Sequence, residues 1–271
     1  MLPLAHWRVP PGLAGLLTDI DDTLTTEGAI TADALDALQA LRQAGLHVIA
    51  ITGRPVGWSA PFAATWPVDA IVAENGAVAW VPDRQENGLQ GALGKRRQLS
   101  KWYQQDAACR AAQFARMQQV LARIEREVPG ARRAQDSAGR ETDIAIDHSE
   151  FTQLAPGAIA QVVRIMQAEG MRATVSSIHI NGWYGAHDKW EGARWIVRQL
   201  LGRTLDAETD RWVYVGDSTN DQIMFQHLPH SVGVANIARF VPQLAHLPRY
   251  VAQGERGAGF AELARALLAA R

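Results

Sequence analysis

One cysteine, Cys109, stands in 271 residues. An internal disulfide is therefore impossible, and neither a thiolate metal cage nor a redox pair can be built from this chain. An excess of one charge is missing as well: 27 Lys and Arg face 28 Asp and Glu, a formal net charge of -1. That balance supplies no long-range pull on nucleic acid or an anionic membrane, so a charged ligand must be recognised locally. No apolar run approaches the ~18 residues that a spanning helix needs. The opening MLPLAHWRVPPG sets His6, Arg8 and three prolines where a signal peptide would carry an apolar stretch. A cytoplasmic protein working without nucleic acid or membrane is the expectation.

What is present is a good supply of apolar side chains, 47% of the chain, in a length that exceeds one typical domain and suits a core with an inserted unit. Residues 13–18 form a short apolar run ending in acids, and Thr31-Ala32-Asp33 then opens a helical pattern with Leu35, Leu38 and Leu41, closed by Gly45. HVIAI (47–51) runs into Thr52-Gly53-Arg54-Pro55, and AIVA (70–73) into Glu74-Asn75-Gly76. Short buried strands separated by helices predict an α/β fold with a Rossmann-like parallel sheet. Over residues 82–184 the rhythm changes to a long helix (99–128), strands near 132–135 and 141–147, a second helix (156–169), and a strand pair or one long strand at 172–184. This predicts a small α+β unit, 82–184, inserted in a core made of 1–81 and 185–271. After Asp188, Trp190, Ala193, Ile196, Val197, Leu200 and Leu201 share a helical face, WVYV (212–215) ends in Gly216-Asp217, SVGVA (231–235) reads as a strand, and a helix (260–270) follows.

The acids sit where a site belongs. Thr18-Asp19-Ile20-Asp21-Asp22-Thr23-Leu24 holds three carboxylates in four positions. In open parallel sheets ligands lie beyond the carboxyl ends of strands, and here Asp19, Thr52, Glu74 and Asp217 occupy those ends. On an extended chain, Asp19 and Asp21 share one side about 7 Å apart, at ~3.3 Å per residue, with room for a reacting atom between them. An oxygen-preferring cation such as Mg²⁺ would relieve their repulsion, and Asp217 and Asp221 of Gly216-Asp217-Ser218-Thr219-Asn220-Asp221 offer it further oxygens. One carboxylate can attack phosphorus while the other moves the proton. Thr52, the Gly53 amide and Lys189, next to the predicted helix cap Asp188, supply the donors and cation that phosphoryl transfer needs. Singly, such residues are commonly turns, caps or surface groups; their order and placement together point to one reaction.

With these segments in view, the chain resembles the haloacid dehalogenase superfamily of Mg²⁺-dependent phosphatases over about residues 13–268. Asp19 to Leu24 is similar to its first motif, Ile51-Thr52-Gly53-Arg54 to its second, Lys189 to its third, and Gly216 to Asp221 to its fourth. The resemblance implies Asp19 as nucleophile, Asp21 as general acid and base, and Thr52, Gly53, Arg54 and Lys189 around the phosphate. It places Asp19, the Asp21 carbonyl, Asp217 and Asp221 around Mg²⁺, and Asn220 where many members help hold the phosphate or the metal shell. Asp22 departs from the pattern: many members have Gly there, and a turn or capping role is expected of it.

The insert falls where this family carries its C2-type cap, and it is similar to the smaller cap of the sucrose-phosphate, trehalose-phosphate and mannosyl-phosphoglycerate phosphatases. Ala73-Glu74-Asn75-Gly76-Ala77 is similar to that branch too. The implied function is hydrolysis of a small phosphorylated metabolite, a sugar phosphate foremost. Arg140, Asp143, Asp147, His179, Asn181 and Trp183 are the cap candidates, because alternate strand residues share a face and Trp stacks on sugar rings. Lys95, Arg96 and Arg97 read as a solvated basic turn. The alternatives are a sugar phosphomutase of the same superfamily, a phospho-receiver, which the residue order disfavours, and a non-catalytic binding protein on the same fold.

Overall fold

Runs of Val, Ile, Leu and Ala with both faces buried make the central strands, as a sheet covered on two sides requires. The structure is a computed structural model that describes residues 1–83 and 97–270; Lys95 and Arg96 lie outside the described residues. A nine-stranded sheet runs in the order Leu2–Pro3, Tyr250–Val251, His230–Gly233, Trp212–Gly216, Gly15–Thr18, His47–Ile51, Ala70–Ala73, Val78–Pro82, Leu99–Tyr103. The first seven are parallel, and the last two continue antiparallel as a hairpin. Gly15–Thr18 lies between a neighbour from the C-terminal half and one from the N-terminal half, so the strand order reverses beside it and a crevice opens beyond its carboxyl end.

Alternation along each strand divides the core. Leu16, Val48, Ile71, Val213 and Val215 pack under the helices Ala32–Gln43 and Arg256–Ala269. Leu17, Ile49, Val72 and Tyr214 pack under Lys189–Leu201 and Gln222–His227. The inserted unit has its own four-stranded antiparallel sheet, in the order Arg172–Val175, His179–Trp183, Ile144–Asp147, Arg132–Arg133, with the helices Ala107–Glu127 and Pro156–Ala168 sharing its apolar core. Residues 172–184 thus form a hairpin, with the Ser176 amide donating to the His179 carbonyl at 2.8 Å.

Three expectations change. The segment LSKWY (99–103) is a strand of the large sheet, paired from Val78↔Tyr103 to Pro82↔Leu99, and not the start of a helix. Its alternation puts Trp102 on the main core and Tyr103 on a small cluster with Val56, Ala73 and Val78. The helix starts only at Ala107, where the Asp106 carboxylate accepts the Cys109 amide at 2.8 Å. The smaller unit's own elements therefore run from Ala107 to Trp183, because 99–103 belongs to the core sheet. Arg97 is not a solvated turn residue either: it donates to the carbonyls of Ala63, Trp66 and Val68 where the helix Val56–Thr65 ends.

The helix that carries Lys189 is seated by contact with the turn after Ala70–Ala73. Gly76 has φ +113, and a Cβ there would lie 2.3 Å from the Asp188 carbonyl oxygen; a Cβ on Gly192 would lie 2.5 Å from Gly76 Cα. Any side chain at Gly192 must push the helix away from the turn at Gly76. Gly192→Ala should lower unfolding stability by about 1–3 kcal/mol, whereas Gly157→Ala, with nothing near its new Cβ, should be neutral or stabilising by up to about 1 kcal/mol. Urea unfolding of both variants checks this, and equal stabilities would refute the tight seat.

Candidate active site

Beyond the carboxyl ends of Gly15–Thr18 and Trp212–Gly216, Asp19, Asp217 and Asp221 bring carboxylate oxygens within 4.8 Å of one another. All three are buried, and Lys189, 1% exposed, lies among them. Its ammonium donates to Asp19 Oδ1 and Asp221 Oδ1, each at 2.6 Å. Burial alone would favour neutral lysine, but Asp19 and Asp221 hold it charged, above its ordinary pKa. Asp221 is fully engaged: Oδ1 also accepts the Tyr214 hydroxyl, and Oδ2 accepts the amides of Asp217 and Ser218 at 2.9 and 3.0 Å. Asp217 differs. Its Oδ2 accepts Asn236 Nδ2 at 3.1 Å and Arg239 Nη2 at 3.3 Å, while its buried Oδ1 has no partner among the described residues.

Three buried acids around one ammonium leave the site short of positive charge. Burial pushes the Asp19 carboxyl up to about 8; Lys189 opposes this, and Asp221 and Asp21 add to it. Burial with Asp19 and Asp221 beside it likewise drives Asp217 well above the carboxylate range. The donors are all oxygens and one of them is unpartnered, so these residues fit a hard divalent cation.

Arg54 lies where the resemblance expects a phosphate ligand, and its guanidinium is occupied by acids. Nε donates to both Asp21 oxygens at 3.0 and 3.1 Å. Nη2 reaches Glu150 Oε1 at 2.7 Å, Nη1 reaches Asp136 Oδ2 at 3.1 Å, and the group lies 5.0 Å over the Trp58 ring. One side chain thus joins an acid of the core to two acids of the inserted unit. Burial raises the Glu150 carboxyl, but His179 and Arg54 outweigh it and hold the group down to about 2. Asp147 shapes this turn: its carboxylate accepts the amides of Ser149, Glu150 and Phe151 at 3.1, 2.9 and 2.9 Å, which aims Glu150 at the core.

The other cap candidates separate by what they touch. Arg140 and Asp143 form a buried pair at 2.7 Å, and Arg140 also donates to the Gly53 carbonyl at 3.0 Å. Asn181 Nδ2 donates to Asp143 at 2.9 Å and to the same carbonyl at 3.2 Å. These three dock the inserted unit onto the turn after His47–Ile51, and burial lifts Asp143 to about 7. Trp183 gives its indole N–H to the His187 carbonyl at 2.9 Å inside the unit's own core. His179, with its Nε2 2.9 Å from Glu150 Oε2, does line the crevice, as does Asn181.

Thr52 is buried, and its hydroxyl accepts the Arg54 amide at 3.0 Å, which leaves its proton free to donate. Asn220 joins the crevice wall, its Oδ1 accepting the Ser218 hydroxyl at 2.9 Å. Facing these are Ser176, Ser177 and Ile178 at the hairpin tip, which sequence reasoning passed over; reading SSIH as a tight turn between two strands would have placed them. Glu74 was noted only as a strand-end acid. It is fully buried and accepts the amides of Val56, Glu141 and Thr142, fastening the core to the inserted unit. Asn236 follows the strand His230–Gly233, so the rule of strand carboxyl ends could have found it; Arg239 carried no such signal.

Residues 16–104 match the family of haloacid dehalogenase-like hydrolases. Among curated proteins no sequence matches significantly. Solved structures align along nearly the whole chain. A Thermoplasma acidophilum protein has a TM-score of 0.68 at 16% identity, covering 94% of this chain and 98% of its own. The sucrose-phosphatase of Synechocystis, solved with sucrose and phosphate, scores 0.64 at 17% identity over 93% and 96%. The C-terminal domain of C. albicans trehalose-6-phosphate phosphatase scores 0.61 at 13% identity over 94% and 92%. At such identities the likeness is one of fold, and it extends through both sheets. The likeness to the haloacid dehalogenase-like hydrolases thus lies in residues 16–104, and the solved structures extend it over the rest of the chain as a likeness of fold.

Proposed function

We propose that the chain is a Mg²⁺-dependent phosphatase that hydrolyses a small phosphomonoester, a sugar phosphate, through an aspartyl-phosphate. The observation that carries this reading is the Lys189 bridge between Asp19 and Asp221 beside the unpartnered Asp217 Oδ1. Lys189 holds one oxygen of Asp19 fixed, so its carboxylate is presented to phosphorus without having to be ordered during the reaction. Asp21, gripped at both oxygens by Arg54, is the proton carrier: it protonates the leaving oxygen and later takes a proton from water. The Thr52 hydroxyl, the Gly53 amide, Lys189 and Asn220 donate to the phosphoryl oxygens. Mg²⁺ would be held by Asp19, Asp217 and the Asp21 carbonyl, with Asp221 fixing the Asp217 loop, and when bound it would neutralise charge on the phosphoryl group.

The inserted unit acts as a C2-type cap. Its hairpin tip closes the crevice with Ser176, Ser177, His179 and Asn181, hydroxyl, imidazole and amide groups that suit a polyhydroxylated leaving group better than an apolar one. Sucrose and trehalose phosphatases among the neighbours support a sugar phosphate as substrate. The partner is then a small phosphorylated metabolite, met in the cytoplasm. Among the described residues no helix is long and apolar enough to cross a membrane.

Purified protein with Mg²⁺ should release phosphate from members of a panel of sugar phosphates, glycosyl phosphates and nucleotides, and Asp19→Asn should cut turnover roughly 10³-fold or more. No release from any compound, or full turnover by Asp19→Asn, would sink the proposal, and a positional isomer in place of phosphate would make the protein a mutase.

Asp19 also gives the metal-free fold a pH signature. Burial raises its folded pKa to about 8, above the ordinary aspartate value of 3.8, so the folded state binds the extra proton, and stability falls as pH rises between those values. Without metal, Asp19→Asn should be more stable than the natural chain at pH 8 by at least about 1 kcal/mol, and that advantage should vanish near pH 4. Urea unfolding in EDTA at both pH values measures it, and a constant difference would refute the assignment.

A further inference from the structure

Asp22 takes no part in the reaction as drawn, yet its carboxylate meets two arginines. Its φ is +55, in the left-handed region where glycine costs least, so a side chain here must be held by something. Arg239 Nη2 donates to Asp22 Oδ2 at 2.8 Å, Arg256 Nε lies 3.2 Å from Oδ1, and Asn236 Nδ2 donates to the Asp22 carbonyl at 3.0 Å. The same Arg239 nitrogen lies 3.3 Å from Asp217 Oδ2, and the same Asn236 amide donates to that oxygen at 3.1 Å.

Arg239 is therefore shared between two acids, with the shorter bond to Asp22. Its side chain is 44% exposed and so has room to swing. A guanidinium freed from Asp22 can turn its fork onto Asp217 and take both carboxylate oxygens, including the Oδ1 that is now unpartnered. That oxygen is the one a cation would use.

We propose that Asp22 is a positioning residue for the divalent cation: it holds Arg239 away from Asp217, so that Asp217 Oδ1 stays available. The role rests on the metal reading above and is separable from it by direct binding. Asp22→Asn removes the charge with little change of shape, and Asn adopts the left-handed region readily; Asp22→Gly removes the side chain and any strain together. Arg239→Met removes the competitor.

Isothermal titration of MgCl₂ into metal-free protein, with thermal unfolding in EDTA to show that each variant is folded, gives the readout. Both Asp22 variants should raise the Mg²⁺ Kd roughly fivefold or more, the size expected when one partner of a coupled pair is lost. In the Arg239→Met background, Asp22→Asn should shift Kd by less than about twofold, because its effect passes through the arginine. An equal shift in both backgrounds would mean that Asp22 acts only by its own charge and would overturn the proposal, as would an unchanged Kd in both Asp22 variants. A natural chain that binds no Mg²⁺ overturns this role and the metal reading together; one that binds it while every variant matches overturns this role alone.

Discussion

The ammonium group of Lys189 stands between Asp19 and Asp221 with almost no access to water, and the rest of the site is arranged around that fact. A buried cation between two hydrogen-bonded carboxylates requires that the groups be held in place, since an ammonium stripped of its acids would be an uncompensated charge in the interior. Each is held by a different part of the chain. Asp19 is fixed by the hydrogen bond that its backbone N–H donates to the Val215 carbonyl, Asp221 by Tyr214 and two loop amides, and Lys189 by the contact of its helix with Gly76. The reversal of strand order beside Gly15–Thr18 brings these parts, distant in sequence, to one crevice.

A second constraint acts across the two sheets. The inserted unit is joined to the core by buried polar groups, and they converge on the turn that follows His47–Ile51. Arg140 and Asn181 share the Gly53 carbonyl, Arg54 takes Glu150 and Asp136, and Glu74 receives the amides of Glu141 and Thr142. Such contacts are directional, and each buried partner is costly to leave unpaired, so the unit is docked in one register. On the far side of the crevice, the Thr219 hydroxyl donates to the Val175 carbonyl. The hairpin tip is thus tied to the loop that carries Asp217, and the two walls of the crevice are set relative to each other.

The positions of Asp19, Thr52 and Asp217 were legible in the sequence because a parallel sheet puts its chemistry immediately after its strands, and an apolar run followed by an acid or Thr-Gly marks that boundary without knowledge of contacts; Lys189 was marked instead by the helix cap Asp188 beside it. Alternation was less informative at the edge: LSKWY runs into an Ala-rich helix after only three residues, and the strand could not be told from a helical first turn by periodicity. The cap candidates show a different limit. Placing Asp143 and Asn181 on one face of adjacent strands, as the register Ala145↔Asn181 allows, does not say whether that face meets substrate or core. Asp147 shapes a turn through the amides that directly follow it, and Trp183 fills the cap's interior, where its packing partners come from elements far along the chain.

The electrostatics of the site follow from which charges the fold leaves unbalanced. Around Arg54 the acids Asp21, Asp136 and Glu150 each pair with one guanidinium, and the Glu150 carboxyl there is driven down by Arg54 and His179. Around Lys189 the acids are buried away from water, and Asp19 and Asp217 are driven up. Arg239 could have closed the gap, yet Asp22 keeps it at the rim, 44% exposed, with its weaker contact to Asp217. A core assembled for stability alone would have paired that buried oxygen. The carboxyls that burial drives up therefore lie at the end of the crevice where a cation and a phosphoryl group would meet, while the Arg54 cluster beside it anchors the cap.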